Sequence, residues 1–263
     1  MTYEDELKIG LKHVQGHAKA AEPDIDELVQ RVNNIASNAD VCILSLSSYA
    51  EARCMIAWFE NHDLSELKQW AYVAGKLRMI YKIRRGPGRG SLSIPSSVLL
   101  FPLISDNQAL VDWFVSYEDG YHPADLKNPK AGAYHDYQAV VALRRNWTKL
   151  AERSELFLSD IPKKQNKFAI DFHFYLGLAQ GNVQAMQRVL IELTSPAIAR
   201  KRNHDGDMGY TENLIGTDAV VLAKIAWKSG YDLQIDTPYI PTDWMPVSPL
   251  LEYTDPYEFM KAY

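Results

Sequence analysis

Apolar residues recur at helical spacing along almost the whole chain of 263 residues. Side chains three and four positions apart lie on one face of an α-helix, so this period marks amphipathic helices. The strict alternation of apolar and polar residues that marks a half-buried strand does not stand out in the sequence. We therefore predict an all-α fold, in which each helix buries its apolar face against other helices.

The predicted helices are bounded by residues with a physical reason to start or stop a helix. Asp63 followed by Glu66 fits a capping box, and Pro162 fits a first helical turn, where its missing N–H costs nothing. Gly181 and Gly230 lie where a left-handed residue ends a helix. The predicted helices span residues 4–19, 25–38, 41–60, 64–84, 96–116, 134–157, 163–180, 183–193 and 212–229. In the last of these, Lys224 and Lys228 form one narrow stripe on an otherwise apolar helix, which predicts a central packing role.

Two segments share one pattern: "MIAWFENHDLSELKQW" and "FYLGLAQGNVQAMQRV" each contain an apolar helix, a short polar break, a capping residue and a second helix. This pattern predicts stacked antiparallel helical hairpins, in a solenoid-like or irregular bundle. The C-terminal stretch 231–263 is rich in proline, so we expect an extended tail that wraps the surface. The chain forms one helical domain of 1–263 or two lobes, 1–117 and 134–263, separated by a loop rich in Gly, Pro and acidic residues.

Composition and N-terminal sequence indicate a cytoplasmic globular protein. Apolar residues make up 47% of the chain and charged residues 23%, and the acidic start does not resemble a signal peptide. The long apolar run 41–59 carries Glu51 and Arg53, so we predict a buried core helix and no membrane contact. Cys42 and Cys54 would lie about 18 Å apart on that helix, which predicts two free core thiols.

Charge is distributed unevenly along the chain. The formal net charge is −5, which argues against nucleic acid as a partner. Residues 63–90 carry seven Lys or Arg and two acids, whereas 105–126 carry five acids and 231–263 carry six acids and one lysine. Acidic patches of this kind suit a basic partner, and a merely solvated acidic face is the alternative interpretation.

Motifs that carry catalysis are incomplete. In "ARKRNHDGDMGY" (199–210), Asp205 and Asp207 lack the third alternating ligand of a calcium loop, because Gly209 occupies that position. His13 and His17 lack the glutamate of the metalloprotease motif, and "GPGRGS" (86–91) lacks the lysine of a phosphate loop. We therefore predict no enzyme activity, no metal and no cofactor. A metal-dependent enzyme that uses His204, Asp205 and Asp207 remains an alternative.

The C-terminal third has a recognisable order of elements. The helix "TDAVVLAKIAWKSGYDLQID" leads into "TPYIPTDWMPVSPL", and "FYLGLAQGNVQAMQRVLIEL" lies upstream. This order resembles the immunity protein family numbered 49 of bacterial polymorphic-toxin systems, over about the last hundred residues. The first half of the chain resembles this family mainly in its general sequence pattern, through "SYAEARCMIAWFENHDLSELKQWAYVAGKLRMIY". Helical immunity proteins that guard against nuclease toxins of the PoNe kind are similar as well.

The resemblance implies a small cytosolic all-α protein, without catalytic activity, that binds one cognate toxin domain and blocks it. Nucleases are among the toxins that act in the cytosol, and an acidic inhibitor can occupy their basic channels. Aromatic residues with acidic neighbours are expected to form the contact surface. The expected contact residues are Glu118, Asp119, Tyr121, Asp125, Asp205, Asp207, Tyr210, Trp244, Tyr257 and Glu258. A helical scaffold that binds a peptide or a regulatory partner in a groove is the alternative function.

Overall fold

The computed structural model describes residues 2–86, 96–205 and 209–263. These residues form α-helices and short 3₁₀ helices and no β-strand, which confirms the all-α prediction. The α-helices are α1 (Tyr3–Ala21), α2 (Ile25–Asn33), α3 (Ala39–Phe59), α4 (Leu64–Arg85), α5 (Leu100–Ser105), α6 (Gln108–Ser116), α7 (Gly132–Leu143), α8 (Trp147–Ser159), α9 (Ala169–Ala179), α10 (Val183–Leu193), α11 (Pro196–Asp205) and α12 (Thr217–Lys228). The 3₁₀ helices are Glu22–Asp24, Ser96–Leu99, Asp125–Lys127, Lys163–Phe168, Thr242–Trp244 and Glu258–Ala262.

Several predicted boundaries are confirmed at the residues that were expected to set them. Asp63 precedes α4 and its side chain accepts a hydrogen bond from the amide of Glu66, at 2.8 Å. Gly181 and Gly230 follow α9 and α12 with φ of +67° and +96°. Such values cost glycine little, so both helices end there.

Two predicted helices are each divided in two. The predicted helix 96–116 breaks at Asp106, which has a left-handed backbone with φ of 60°. The predicted helix 134–157 breaks at Arg145, with φ of 54°. In both cases the following asparagine caps the next helix, because Asn107 accepts from an amide of α6 and Asn146 from an amide of α8. At each break one helix therefore ends, and the asparagine that follows caps the start of the next helix.

Other ends differ from the prediction as well. The predicted helix 25–38 already ends at Asn33, and Ile35 has a left-handed backbone with φ of 51°. The stretch 163–168 is a 3₁₀ helix before α9 begins, and the helix predicted from residue 212 begins only at Thr217.

Helices α3 and α4 pack closely along each other at the centre of the fold, with α1 and α2 against α3. Helices α8, α9 and α10 are successive neighbours, and α12 contacts α5, α7 and α10. One continuous apolar core runs through both predicted lobes, from Leu46 and Leu77 to Val220 and Trp244. The thiols of Cys42 and Cys54 are free and buried in this core.

The C-terminal tail runs back over α4 and is fastened there by side chains. Gln69 exchanges two hydrogen bonds with the backbone of Thr254, at 2.7 and 3.0 Å. The carboxylate of Asp255 accepts from Tyr72 and Lys76, at 2.9 and 2.7 Å. The last residues of the described chain are therefore part of the packed structure.

Candidate functional site

The loop between α6 and α7 carries three of the predicted contact carboxylates, and it is held rigidly. The guanidinium of Arg144 donates to the carbonyl of Val115 at 2.6 and 3.0 Å and to Glu118 at 2.8 Å. It thereby ties the start of the loop to the end of α7. A charge-assisted fork of this kind is geometrically specific.

The middle and the end of the same loop have their own anchors. The ring of Tyr121 is buried and meets Tyr137 edge-on, with ring centroids 5.0 Å apart. Arg153 donates to the carbonyl of Leu126 at 2.5 Å and to that of Tyr134 at 2.8 Å. Residues 117–131 thus form an ordered surface loop, which we call the pinned loop.

The carboxylates of the pinned loop face outward. The side chain of Glu118 is 66% exposed although it pairs with Arg144, and Asp119 and Asp125 are exposed. The exposed charged side chains of residues 118–125 are acidic, whereas Lys127 and Lys130 are exposed in the last part of the loop. The negative surface is therefore confined to residues 118–125. Fixed charges of one sign favour a partner of the opposite sign and speed its association.

Three aromatic residues predicted for the contact surface lie in the core instead. Trp244 is completely buried, and the centroid of its ring lies 6.0 Å from the ring centroid of Trp58 and 6.0 Å from that of Phe59. Tyr121 and Tyr257 are also buried, each with 8% of its surface exposed. These rings stabilise the loop and the tail from within, so in this packing they offer no anchor to a partner.

The other predicted contact residues are scattered. Tyr210 is half-buried beside α1, with its ring 5.4 Å from that of His17. Glu258 is exposed and pairs with Lys261 at 2.6 Å. Asp205 is the last residue of α11, and Asp207 lies outside the described residues. Among the predicted residues whose side chains the structure describes, Glu118, Asp119 and Asp125 are exposed on one loop.

The alternative metal site at His204, Asp205 and Asp207 falls partly outside the described residues. The side chain of His204 is 81% exposed, and its Nδ1 atom lies 3.8 Å from the carboxylate of Glu212. Within the described ranges, no three His, Cys, Asp or Glu side chains are grouped as metal ligands would be.

A groove between α9, α10 and α11 is a second candidate site, which the sequence analysis missed. Its cavity volume is about 770 Å³, within the range of ligand sites. Its floor is apolar and includes Ile170, Leu176, Val189 and Ile198. Gly177 lets the two walls approach closely, because a Cβ there would lie 3.1 Å from that of Ala185.

The rim of this groove is basic. Lys167, Arg188 and Lys201 line it from three different elements and are exposed, with Glu192 as the carboxylate at the rim. The only sequence signal was a local charge excess, since residues 161–203 hold seven Lys or Arg and two acids. That excess could not show that the cations surround an apolar floor.

Below the groove lies a buried ion network. Arg202 donates to both oxygens of Asp171 at 2.6 Å and to Asp218 at 3.0 Å. Burial raises the pKa of Asp171 to about 6, although Arg202 acts in the opposite direction. Arg202 also lines the groove, so this network fixes one wall in place.

A second buried cluster joins the tail to the centre of the fold. Asp106 accepts from Lys68 at 2.9 Å, and the Nζ atom of Lys224 lies 2.8 Å from its other oxygen. Lys224 is fully buried and donates to the carbonyls of Trp244 and Met245. Desolvation lowers the pKa of Lys224 to about 8. Asp106 is thus the shared countercharge of two lysines.

No protein-family model, curated protein or solved structure matches this chain. None of the helices in the described ranges combines the length and the apolarity needed to cross a bilayer. The surfaces described above are therefore the basis for a functional proposal.

Proposed function

We propose that this chain is a cytoplasmic immunity protein that neutralises one cognate toxin domain by direct contact through the pinned loop. The observation that carries the proposal is the anchoring of that loop. Arg144 and Arg153 donate to backbone carbonyls at its start and end, and the ring of Tyr121 packs in the core. Asp119 and Asp125 are exposed. The resemblance to helical immunity proteins suggests the same role.

Rigid presentation matters because ordering a flexible loop at an interface costs free energy. A loop that is already ordered avoids much of that cost, so more of the contact energy appears as affinity. The acidic residues 118–125 of the loop suit the basic channel of a nuclease, where carboxylates take the place of phosphates. In this proposal the helix pairs act as a stacked scaffold and the fastened tail stiffens it.

The test is co-expression with the toxin-like C-terminal domains encoded in neighbouring genes, with growth rescue and co-purification as readouts. The Asp119→Lys/Asp125→Lys variant reverses two exposed charges of the pinned loop and leaves its anchors intact. The matched control is Asp24→Lys/Asp26→Lys, which makes the same charge change at exposed positions beside and within α2. The proposal expects rescue by the wild type and by the control, and loss of rescue with the loop variant.

The groove favours a second function, that of a helical adaptor that binds a peptide. The two functions separate in the same experiment. An adaptor would bind its partner equally well before and after reversal of the pinned-loop charges, whereas the immunity function would not.

A further inference from the structure

We infer that the groove between α9, α10 and α11 is a docking site for an acidic amphipathic helix of a partner protein. This inference deepens the adaptor function proposed above, and it is independent of the acidic residues of the pinned loop. It assigns the partner segment by its chemistry: one apolar face flanked by Asp or Glu.

The floor of the groove sets the apolar requirement. Ile170 and Leu176 of α9 face Val189 of α10 and Ile198 of α11 across it. Among these, Ile170, Leu176 and Ile198 are only half-buried. Apolar surface that stays accessible in a concave site gains free energy when a partner covers it.

The rim sets the charge requirement. Within the described chain, neither Arg188 nor Lys201 takes part in an ion pair, and both are exposed. Arg202, in contrast, is already neutralised by Asp171 and Asp218. Arg188 and Lys201 are thus two available cations on opposite walls, α10 and α11, which complement acids on both flanks of an inserted helix.

The basic edge continues beyond the groove. Lys163 and Lys164 are exposed in the 3₁₀ helix that also carries Lys167. They line a neighbouring cavity of about 410 Å³ together with Lys130. A partner helix longer than the groove would therefore meet further cations at that end.

A helix fits better than an extended chain. The groove walls are helices, whose backbone groups are already paired, and the described residues contain no strand edge to pair with an added strand. An inserted helix satisfies its own backbone, so only side chains need complements. Anchors at i, i+3 or i+4 and i+7 span about 10 Å, at a rise of 1.5 Å per residue.

The experiment is selection of a phage-displayed helical library, randomised on one exposed face, on the immobilised full chain. Isolated binders are then measured by fluorescence anisotropy against the wild type and against Arg188→Glu/Lys201→Glu. The matched control is Lys12→Glu/Lys19→Glu, with the same charge change at exposed positions of α1. Circular dichroism establishes that each variant retains the wild-type helix content.

The inference expects enriched sequences with apolar residues at i, i+3 or i+4 and i+7 and with acidic flanks. Their Kd should rise at least tenfold for the groove variant and by less than twofold for the control. Enrichment of basic flanks, unchanged binding to the groove variant, or failure to enrich any binder would overturn it. Competition by a single-stranded oligonucleotide that is lost in the groove variant would assign nucleic acid to the groove instead. Rescue from a toxin through the pinned loop is a separate readout, so failure here leaves that result unaffected.

Discussion

His135 is caged by aromatic rings, and its titration offers a quantitative test of the packing around α7. Its ring stacks on Phe168 at 4.4 Å and meets Phe157 and Phe172 at 5.1 and 5.4 Å. Burial lowers the pKa of His135 from 6.5 to about 4, and the nearby charge of Arg153 acts in the same direction. The Pro129 carbonyl acts in the opposite direction. His135 should therefore remain neutral in the folded state at pH values where the unfolded chain binds a proton.

The direction of the pH effect depends on whether the folded or the unfolded state binds the proton more readily. Between pH 6.5 and about 4 the unfolded state binds more protons than the folded state at this site, so acidification destabilises the fold. A difference of about 2.5 between the two pKa values corresponds to about 3 kcal/mol at 1.36 kcal/mol per pKa unit. Between pH 7 and pH 5 about 2 kcal/mol of this should appear.

Asp171 and His135 line one small cavity of about 50 Å³, and the titration of Asp171 opposes the effect of His135. The pKa of Asp171 is raised to about 6, so its folded form retains a proton that the unfolded chain has released, and acidification from pH 6 favours folding. The wild-type curve alone would mix the two contributions. His135→Phe keeps an aromatic ring and removes the titration of residue 135.

The assay is urea unfolding of the wild type and His135→Phe at pH 7, 6 and 5, followed by circular dichroism. The free energy of unfolding of the wild type relative to the variant should fall by about 2 kcal/mol from pH 7 to pH 5. The claim that His135 is buried and neutral would be refuted if this difference in stability stayed constant within about 0.5 kcal/mol over that range. Such a change is less than the 1.36 kcal/mol that corresponds to one pKa unit.

Three further predictions concern the buried cluster, the packing of α1 and the pinned loop. Asp106→Asn tolerates the left-handed backbone but leaves Lys68 and Lys224 without this countercharge. The free energy of unfolding in urea should therefore fall by about 3–5 kcal/mol, and a fall of less than about 1 kcal/mol would argue against the cluster. Gly10→Ala places a Cβ 2.8 Å from Leu214 and 2.9 Å from the carbonyl of Glu212, so stability should fall by about 1–3 kcal/mol. Gly16→Ala on the same helix meets nothing within 4 Å and should be neutral or stabilising by up to about 1 kcal/mol; equal losses would contradict this packing. Charge reversal at Asp119 and Asp125 should leave the midpoint of thermal unfolding unchanged within about 2 °C, since exposed charges contribute little to stability. A larger fall would mean that these two carboxylates help to hold the loop.

The fold was most predictable where the deciding signal is local. Asp63, Gly181 and Gly230 act on their own helix ends, through a cap or through a backbone that glycine adopts at little cost, so the sequence alone identifies them. The all-α class follows likewise from the spacing of apolar residues.

The breaks at Asp106 and Arg145 were missed because contacts distant in sequence stabilise them. Asp106 is held by Lys68 and Lys224, and the guanidinium of Arg145 donates to the carbonyl of Lys228 at 2.8 Å. Arg145 is not a residue that favours a left-handed backbone, and Asp106 adopts one less readily than glycine, so local sequence did not identify either break.

The candidate sites were only partly predictable. The acids of the pinned loop follow from composition, but whether an aromatic ring of a loop points inward depends on what lies beneath it. Tyr121 finds Tyr137 there, and Trp244 finds Trp58 and Phe59. The groove was missed for the same reason, since α9, α10 and α11 must come together before their side chains enclose a cavity.

Isothermal titration calorimetry of the purified chain with the purified toxin domain from a neighbouring gene tests the immunity function most directly. The account predicts a complex with a submicromolar Kd that Asp119→Lys/Asp125→Lys weakens at least tenfold, corresponding to about 1.4 kcal/mol or more, while Asp24→Lys/Asp26→Lys leaves it unchanged. No heat of binding with the wild type, or equal affinity for all three proteins, would contradict neutralisation through the pinned loop.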